Sequence, residues 1–254
     1  MKKTAKLIGL LALVPTVILM TAWGTLAIYW SNPPPDLLRT VSAAAFGRAT
    51  VLAFLCLPNR RRTLIGFLLV FTSVAGWWMT IPASNDRPWQ RDVAVLPFAG
   101  VRGDLVTVHN IRNLAYRTET DFDVRYYDKT FDLKQLNSVD LIAVYWMGDA
   151  IAHVMITFGF QEKDFVTFSI ETRKEVGEGY STLKGFFKQY ELIFIAGDER
   201  DLIRVRTDYR KPPEDVYLYR GRMTPENSRK FFMEYVRQIN SMKENPEWYN
   251  TLTT

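Results

Sequence analysis

Leu7–Trp30 reads LIGLLALVPTVILMTAWGTLAIYW, and Leu64–Ile81 reads LIGFLLVFTSVAGWWMTI. Crossing the ~30 Å hydrocarbon core of a bilayer takes about 20 predominantly apolar residues in a helix. Both stretches meet that demand. A third stretch lies between them, from about Val41 to Pro58, with Arg48 near its middle. No comparable apolar run follows Ile81. The expected architecture is therefore a membrane anchor of three transmembrane helices over residues 1–82, followed by a soluble domain over residues 83–254.

The charges flanking these stretches predict an orientation. Lys2, Lys3 and Lys6 precede the first, and Arg60-Arg61-Arg62 lies between the second and third, whereas Ser31–Asp36 carries no cation. Short basic segments stay in the cytoplasm. The N-terminus and the Arg cluster are thus expected inside, and everything after Ile81 outside. Trp23, Tyr29, Trp30, Trp77 and Trp78 fall toward the expected outer ends, where aromatic belts form. The basic start also fits a cleaved signal peptide, but the apolar run is too long for a usual signal core. Arg48 reads as an interfacial or bundle-facing side chain that snorkels rather than as an intramembrane polar contact.

Composition narrows the chemistry. The only cysteine is Cys56, inside the second apolar stretch. The soluble part therefore has no disulfide, thiolate metal site or cysteine nucleophile of its own. The two histidines, His109 and His153, show no metal-ligand spacing, and no phosphate loop or G-x-S-x-G elbow is present. No cofactor and no metal is expected. The net charge of +5 comes partly from the cluster facing anionic lipid, so inner-membrane lipid is the expected partner and nucleic acid is not.

Asn85–Gly103 reads as a polar, Pro-interrupted lead-in. Strands are expected over Leu105–Arg112, Phe122–Tyr127 and Val139–Trp146, with a turn at Gly148-Asp149. Ile151–Phe160 and Phe165–Thr172 should form a hairpin around Gln161–Asp164. Tyr190–Ala196, Leu202–Arg206 and Val216–Arg222 continue the strand series, with a short helix over about Ser181–Tyr190. Glu171–Glu175 looks too polar for a strand interior and reads as a loop. One long helix closes the chain: Thr224 caps it, Pro225 and Glu226 suit its first turn, and Pro246 ends it. Its apolar face is Phe231, Phe232, Tyr235, Val236, Ile239 and Met242. Many strands with few helices make the class α+β with a largely antiparallel sheet.

His153 is the sharpest candidate for chemistry. It begins a strand in apolar surroundings, where burial and a carboxylate tune an imidazole as a general base. Glu171, at the end of the neighbouring strand, is the carboxylate in position to orient it. The plain alternative is a packed core histidine beside a solvated strand end. His109 shows no evident partner. Asp128–Lys134 is either a substrate-binding loop or surface structure.

Several segments resemble a known family: Asn110–Asn113, Tyr116–Asp121, Arg125–Asp128, Ala152-His153, Ser169–Arg173, Tyr190-Glu191, Asp198–Asp201 and Tyr249–Thr254. In order along the chain from about Asp86, they are similar to the Lnb N-terminal periplasmic domain family. Its named relative is a bacterial lipoprotein N-acyltransferase. The resemblance implies a permuted papain-like fold in which a histidine precedes the cysteine. His153 matches the family histidine and Glu171 a third member. It further implies that Tyr249–Thr254 is followed at once by Asn-Cys, so the chain is expected to be incomplete at its C-terminus or to lack the nucleophile. The function so implied is thiol-type acyl transfer or hydrolysis near the bilayer, with a lipoprotein or acyl-lipid substrate. A non-catalytic envelope protein that binds a lipid or protein partner is the alternative.

Overall fold

The computed structural model describes residues 2–31, 36–146, 148 and 151–253, with no side-chain detail for residues 2–11. The chain forms two compact units. One comprises Met1–Ala83, Ser181–Gln189 and Asn250–Thr253; the other comprises Ser84–Tyr180 and Tyr190–Tyr249.

In the first unit, α1 (Lys2–Trp30), α2 (Asp36–Cys56) and α3 (Arg60–Thr80) are each long and apolar enough to cross a membrane. Gly24 allows α1 and α2 to approach closely: a Cβ there would meet the Phe46 ring at 2.7 Å. Small residues serve the same purpose in membrane helix pairs generally. Trp23 packs edge-on against Trp78 with centroids 5.4 Å apart, joining α1 to α3. Hydroxyls within the helices, such as Thr25 donating to the Thr21 carbonyl at 2.8 Å, satisfy themselves on the preceding turn. Arg48 is exposed on α2 and does not face the bundle. Lys188 belongs to this unit and donates to the carbonyls of Trp78 at 2.8 Å and Ile81 at 3.0 Å.

The second unit is built on one sheet. Its strands are β1 (Phe98–Arg102), β2 (Leu105–Arg112), β5 (Tyr126–Asp132), β6 (Leu136–Tyr145), β7 (Ala152–Phe160), β8 (Asp164–Arg173), β9 (Glu191–Gly197) and β10 (Asp215–Arg220). They lie in the order β1-β2-β9-β8-β7-β6-β10, with β5 also paired to β2. The β2–β9 contact is parallel and every other pairing antiparallel. A small ribbon joins β3 (Ala115–Tyr116) to β4 (Phe122–Asp123). The class is α+β, with a mostly antiparallel mixed sheet.

Period-two alternation gives this sheet two buried faces. On one face Ile156, Phe158 and Phe160 of β7 and Val166 and Phe168 of β8 pack under α5 (Pro225–Glu244). The helix starts where capping chemistry places it: Thr224 accepts from the Asn227 amide at 3.3 Å, and Pro225 occupies the first turn. Phe232, Val236, Ile239 and Met242 are its buried stripe, with Phe231 and Tyr235 partly buried beside them. Phe232 meets the rings of Phe131, Phe158, Phe160 and Phe168. Burying a ring of this size stabilises by about 1.5–3 kcal/mol. On the opposite face Ile142, Val144, Met155, Ile193 and Ile195 pack against Val93 and Leu202. That face carries the candidate site.

The structure departs from the sequence expectations at several elements. Leu202–Arg206 is not a strand. Asp198 caps the short helix α4 (Glu199–Leu202), accepting from the Arg200 amide at 2.9 Å, and a π-turn over Val205–Tyr209 follows. The capping aspartate outweighed an apparent alternation of apolar and charged residues. Phe98–Arg102, taken as lead-in, is an edge strand that turns into β2 through Gly103 at φ +60°. The Phe122–Tyr127 strand is split between β4 and β5, and β5 takes in Asp128–Asp132, with Phe131 buried. Only a 3-10 turn at Lys184–Phe186 occurs where a helix was expected. The hairpin turn matches: Gln161 and Glu162 both adopt φ +54° and Lys163 N donates to the Phe160 carbonyl at 3.2 Å. Asp149 and Thr254 lie outside the described residues.

Candidate functional site

β7 and β8 run antiparallel with Met155 opposite Ser169. Alternation then places His153, two residues before Met155, on the same sheet face as Ser169 and Glu171. Their side chains meet. His153 Nε2 is 2.7 Å from Ser169 Oγ and 3.1 Å from Glu171 Oε1. Ser169 Oγ donates to Glu171 Oε1 at 2.7 Å. The pairing expected between His153 and Glu171 is therefore present in the geometry.

These contacts assign the ring's protons. An ionised carboxylate only accepts, so the single Ser169 hydrogen goes to Glu171. Ser169 Oγ must then accept from the ring, which puts a proton on Nε2. In the neutral imidazole, Nδ1 carries the lone pair, and among the described residues no group bonds it. Ser169 is fully buried, while His153 and Glu171 keep 20 % and 25 % of their side-chain surface exposed. The network is thus anchored inside the protein and open on one side.

Glu171 has a second cationic neighbour. Arg206 Nη2 donates to the same Oε1 at 2.7 Å. Arg206 Nη1 reaches Glu214 Oε2 at 3.2 Å, and Arg210 Nη1 holds Glu214 Oε1 at 2.5 Å. Burial opposes ionisation of Glu171, but the charges of His153 and Arg206, with hydrogen bonds from His153 and Ser169, hold its carboxyl well below the usual range.

Sequence reasoning found His153 and Glu171 but missed Ser169 and Arg206. Ser169 was legible in principle, since a Ser-x-Glu spacing on a strand puts both side chains on one face. Arg206 was hidden by the reading of its segment as a strand. The Glu171–Glu175 segment, expected to be a loop, begins inside β8. Its charged side chains inside β8 tolerate the sheet because they are partnered: Glu171 by Ser169 and Arg206, and Arg173, 2 % exposed, by the carbonyls of Val93 and Ala94 at 3.0 and 2.8 Å.

His109 does have a partner, contrary to expectation. Its Nδ1 is 2.7 Å from Asp128 Oδ2, and its ring stacks on Phe98 with centroids 4.5 Å apart. This pair is on β2 and β5, away from the His153 network. Asp128 itself lies within β5, so the segment expected as a loop or surface structure is largely strand. Among the described residues no three His, Cys, Asp or Glu side chains converge as a metal site requires.

The segment before the C-terminus reaches the same sheet. Leu192 N donates to the Glu247 carbonyl at 2.8 Å and Tyr249 N to the Tyr190 carbonyl at 2.9 Å, with Trp248 bridged to Glu191. Since Glu191 also pairs with Arg173 of β8, this segment lies on the other side of β9. That is three strand spacings from β7, on the order of 14 Å.

Neither the curated proteins nor the solved structures contain a match to this chain. The family model of the Lnb N-terminal periplasmic domain matches residues 122–254, just over half of the sequence, and covers every residue of the His153 network. With three helices able to span a membrane ahead of that match, the chain belongs to the Lnb N-terminal periplasmic domain family and is a membrane protein with a periplasmic domain.

Proposed function

We propose that the domain carries the acid–base half of a thiol acyltransferase or hydrolase acting near the inner membrane, and that the anchor crosses that membrane three times with its N-terminus in the cytoplasm. The observation that carries this reading is the chain His153–Ser169–Glu171. It orients an imidazole through Nε2 and leaves Nδ1, the basic nitrogen, unpartnered among the described residues. A general base needs that arrangement: one ring nitrogen fixed, the other facing the reactants.

In the proposed reaction Nδ1 takes the proton of a cysteine thiol. The thiolate attacks an acyl ester and forms a thioester, and the departing alkoxide takes the proton back from Nδ1. An amine or water then attacks the thioester, giving its proton to Nδ1 and so to the leaving thiol. Glu171 balances the imidazolium in both halves. Catalytic roles fall to His153, with Glu171 as the orienting residue. The acyl donor would be a membrane lipid and the acceptor a lipoprotein amine or water. The thiol is not Cys56, which lies in α2; the family resemblance implies one immediately after Tyr249–Thr254, and Glu247 and Trp248, just ahead of that segment, pair with β9.

The test is to express the protein with its reading frame continued past Thr254 and to probe it with iodoacetamide and a fluorogenic thioester or ester. An in-frame Asn-Cys, with rapid alkylation that His153→Ala slows at least tenfold, supports the reading. A stop codon directly after Thr254, or an added cysteine no more reactive than a free thiol, overturns it and leaves a binding protein as the better description.

A further inference from the structure

Arg206 is the most deeply enclosed charge touching the His153 network, with 5 % of its side chain exposed. A five-residue π-turn, Val205–Tyr209, supports it, closed by the Arg210 amide donating to the Val205 carbonyl at 2.9 Å. Such turns are uncommon and occur often at functional sites. The preceding helix is itself pinned, because Asp201 takes two bonds from Arg112 of β2. The guanidinium therefore has a fixed approach to Glu171 and donates to Oε1, the oxygen that also faces His153 Nε2.

We propose that Arg206 is a positioning residue for His153: by gripping Glu171 Oε1 it fixes the carboxylate against the ring and offsets the carboxylate's charge, leaving Nδ1 to take the reacting proton. This rests on the acid–base role proposed above. The physical argument is a balance of neighbours. A carboxylate 3.1 Å from a ring nitrogen, on its own, strongly favours the imidazolium. A cation on the same oxygen opposes this. The remaining charged groups facing the pair are consistent with such a balance. Glu214 shares Arg206 and is itself held by Arg210, and Arg210 Nε also reaches Glu119 at 3.1 Å. Arg173, next on this face of β8, is turned to the Val93 and Ala94 carbonyls. The alternation Glu171, Arg206, Glu214, Arg210, Glu119 makes Arg206 the only cation among the described residues that contacts Glu171 besides the ring itself.

The experiment reads protons directly and needs no thiol. The full chain, reconstituted in lipid nanodiscs and labelled with 15N-histidine, is studied in a His109→Gln background, which leaves His153 as the sole histidine. Ring nitrogen shifts are followed against pH. The unsubstituted network should show the proton on Nε2 when the ring is neutral. Arg206→Gln should move the His153 midpoint upward by about one unit or more, a tenfold change in proton affinity. Arg206→Lys should bring it back most of the way. Glu214→Gln, which frees Arg206 to act on Glu171 alone, should move it downward and remains informative if Arg206→Gln fails to fold. A midpoint unchanged by Arg206→Gln in a folded protein, or a downward shift, overturns the proposal, as does an unchanged midpoint in Glu214→Gln. A cysteine-extended chain without thiol reactivity would instead overturn the acyl-transfer reading and leave this titration result standing.

Discussion

Replacing Asp201 tests how the site is held in place. Its side chain is fully buried and accepts four hydrogen bonds: Arg112 Nε at 2.9 Å, Arg112 Nη2 at 2.8 Å, the Leu114 amide at 2.8 Å and the Tyr116 hydroxyl at 3.1 Å. Each carboxylate oxygen takes two of these donors. Asp201→Asn preserves the shape but turns one oxygen into an NH₂ group that faces two donors. Each buried donor left unpaired costs about 1–3 kcal/mol, and breaking a buried ion pair from one side costs about 3–5 kcal/mol. The two routes agree on a loss of roughly 4 kcal/mol. Arg112→Met should cost a similar amount, because it strands the carboxylate with two donors. The double variant Arg112→Met/Asp201→Leu removes both charges and leaves chiefly the Leu114 amide unpaired, so it should cost less than either single change, at about 1–3 kcal/mol. Urea unfolding of the detergent-solubilised chain, followed by near-ultraviolet circular dichroism, measures the cycle formed by the unsubstituted chain, Arg112→Met, Asp201→Leu and their double variant, with Asp201→Asn beside it. Single changes worth under 1 kcal/mol, or a double variant costing the sum of the two, would refute the argument that this pair is a buried clamp. Since α4 leads directly into the turn carrying Arg206, Asp201→Asn should also disturb the His153 titration.

Two further outcomes are expected. Burial pushes Glu191 up to about 7 from an ordinary 4.5, against the opposing charge of Arg87. The folded state then binds more protons than the unfolded state between those values, so stability should fall as pH rises from about 5 to 7. Glu191→Gln should flatten this slope, whereas the contribution of Glu171 has the opposite sign and is lost only as pH drops below about 4.5. Unfolding midpoints at pH 5, 6, 7 and 8 for both proteins decide it, and an unchanged slope in Glu191→Gln would count against the assignment. For topology, alkaline phosphatase fused after Thr254 should be active and a cytoplasm-dependent reporter at the same point inactive; the reverse pattern would invert the orientation.

Periodicity and charge by themselves determined the anchor, most of the sheet and the closing helix. The apolar runs from Leu7 and Leu64 are too long for anything but membrane helices or a buried core. The stripe Phe232, Val236, Ile239 and Met242 has only one face to bury. These are local consequences of spacing, so they survive without knowledge of the fold. His153 and Glu171 were visible for a similar reason: a hairpin with a short turn opposes residues at calculable positions. Tertiary structure decided the rest. Leu202–Arg206 looked like a strand until Asp198 and the buried Asp201 turned it into a capped helix and a π-turn. That turn alone delivers Arg206, 35 residues along the chain from Glu171, to the oxygen facing the imidazole. His109 found Asp128 through the β2–β5 pairing, and Phe98–Arg102 became a strand through its pairing with β2. The contacts of Arg206 with Glu171, Asp201 with Arg112 and His109 with Asp128 join residues far apart in sequence, and their energy depends on burial and hydrogen-bond geometry that only the folded chain supplies.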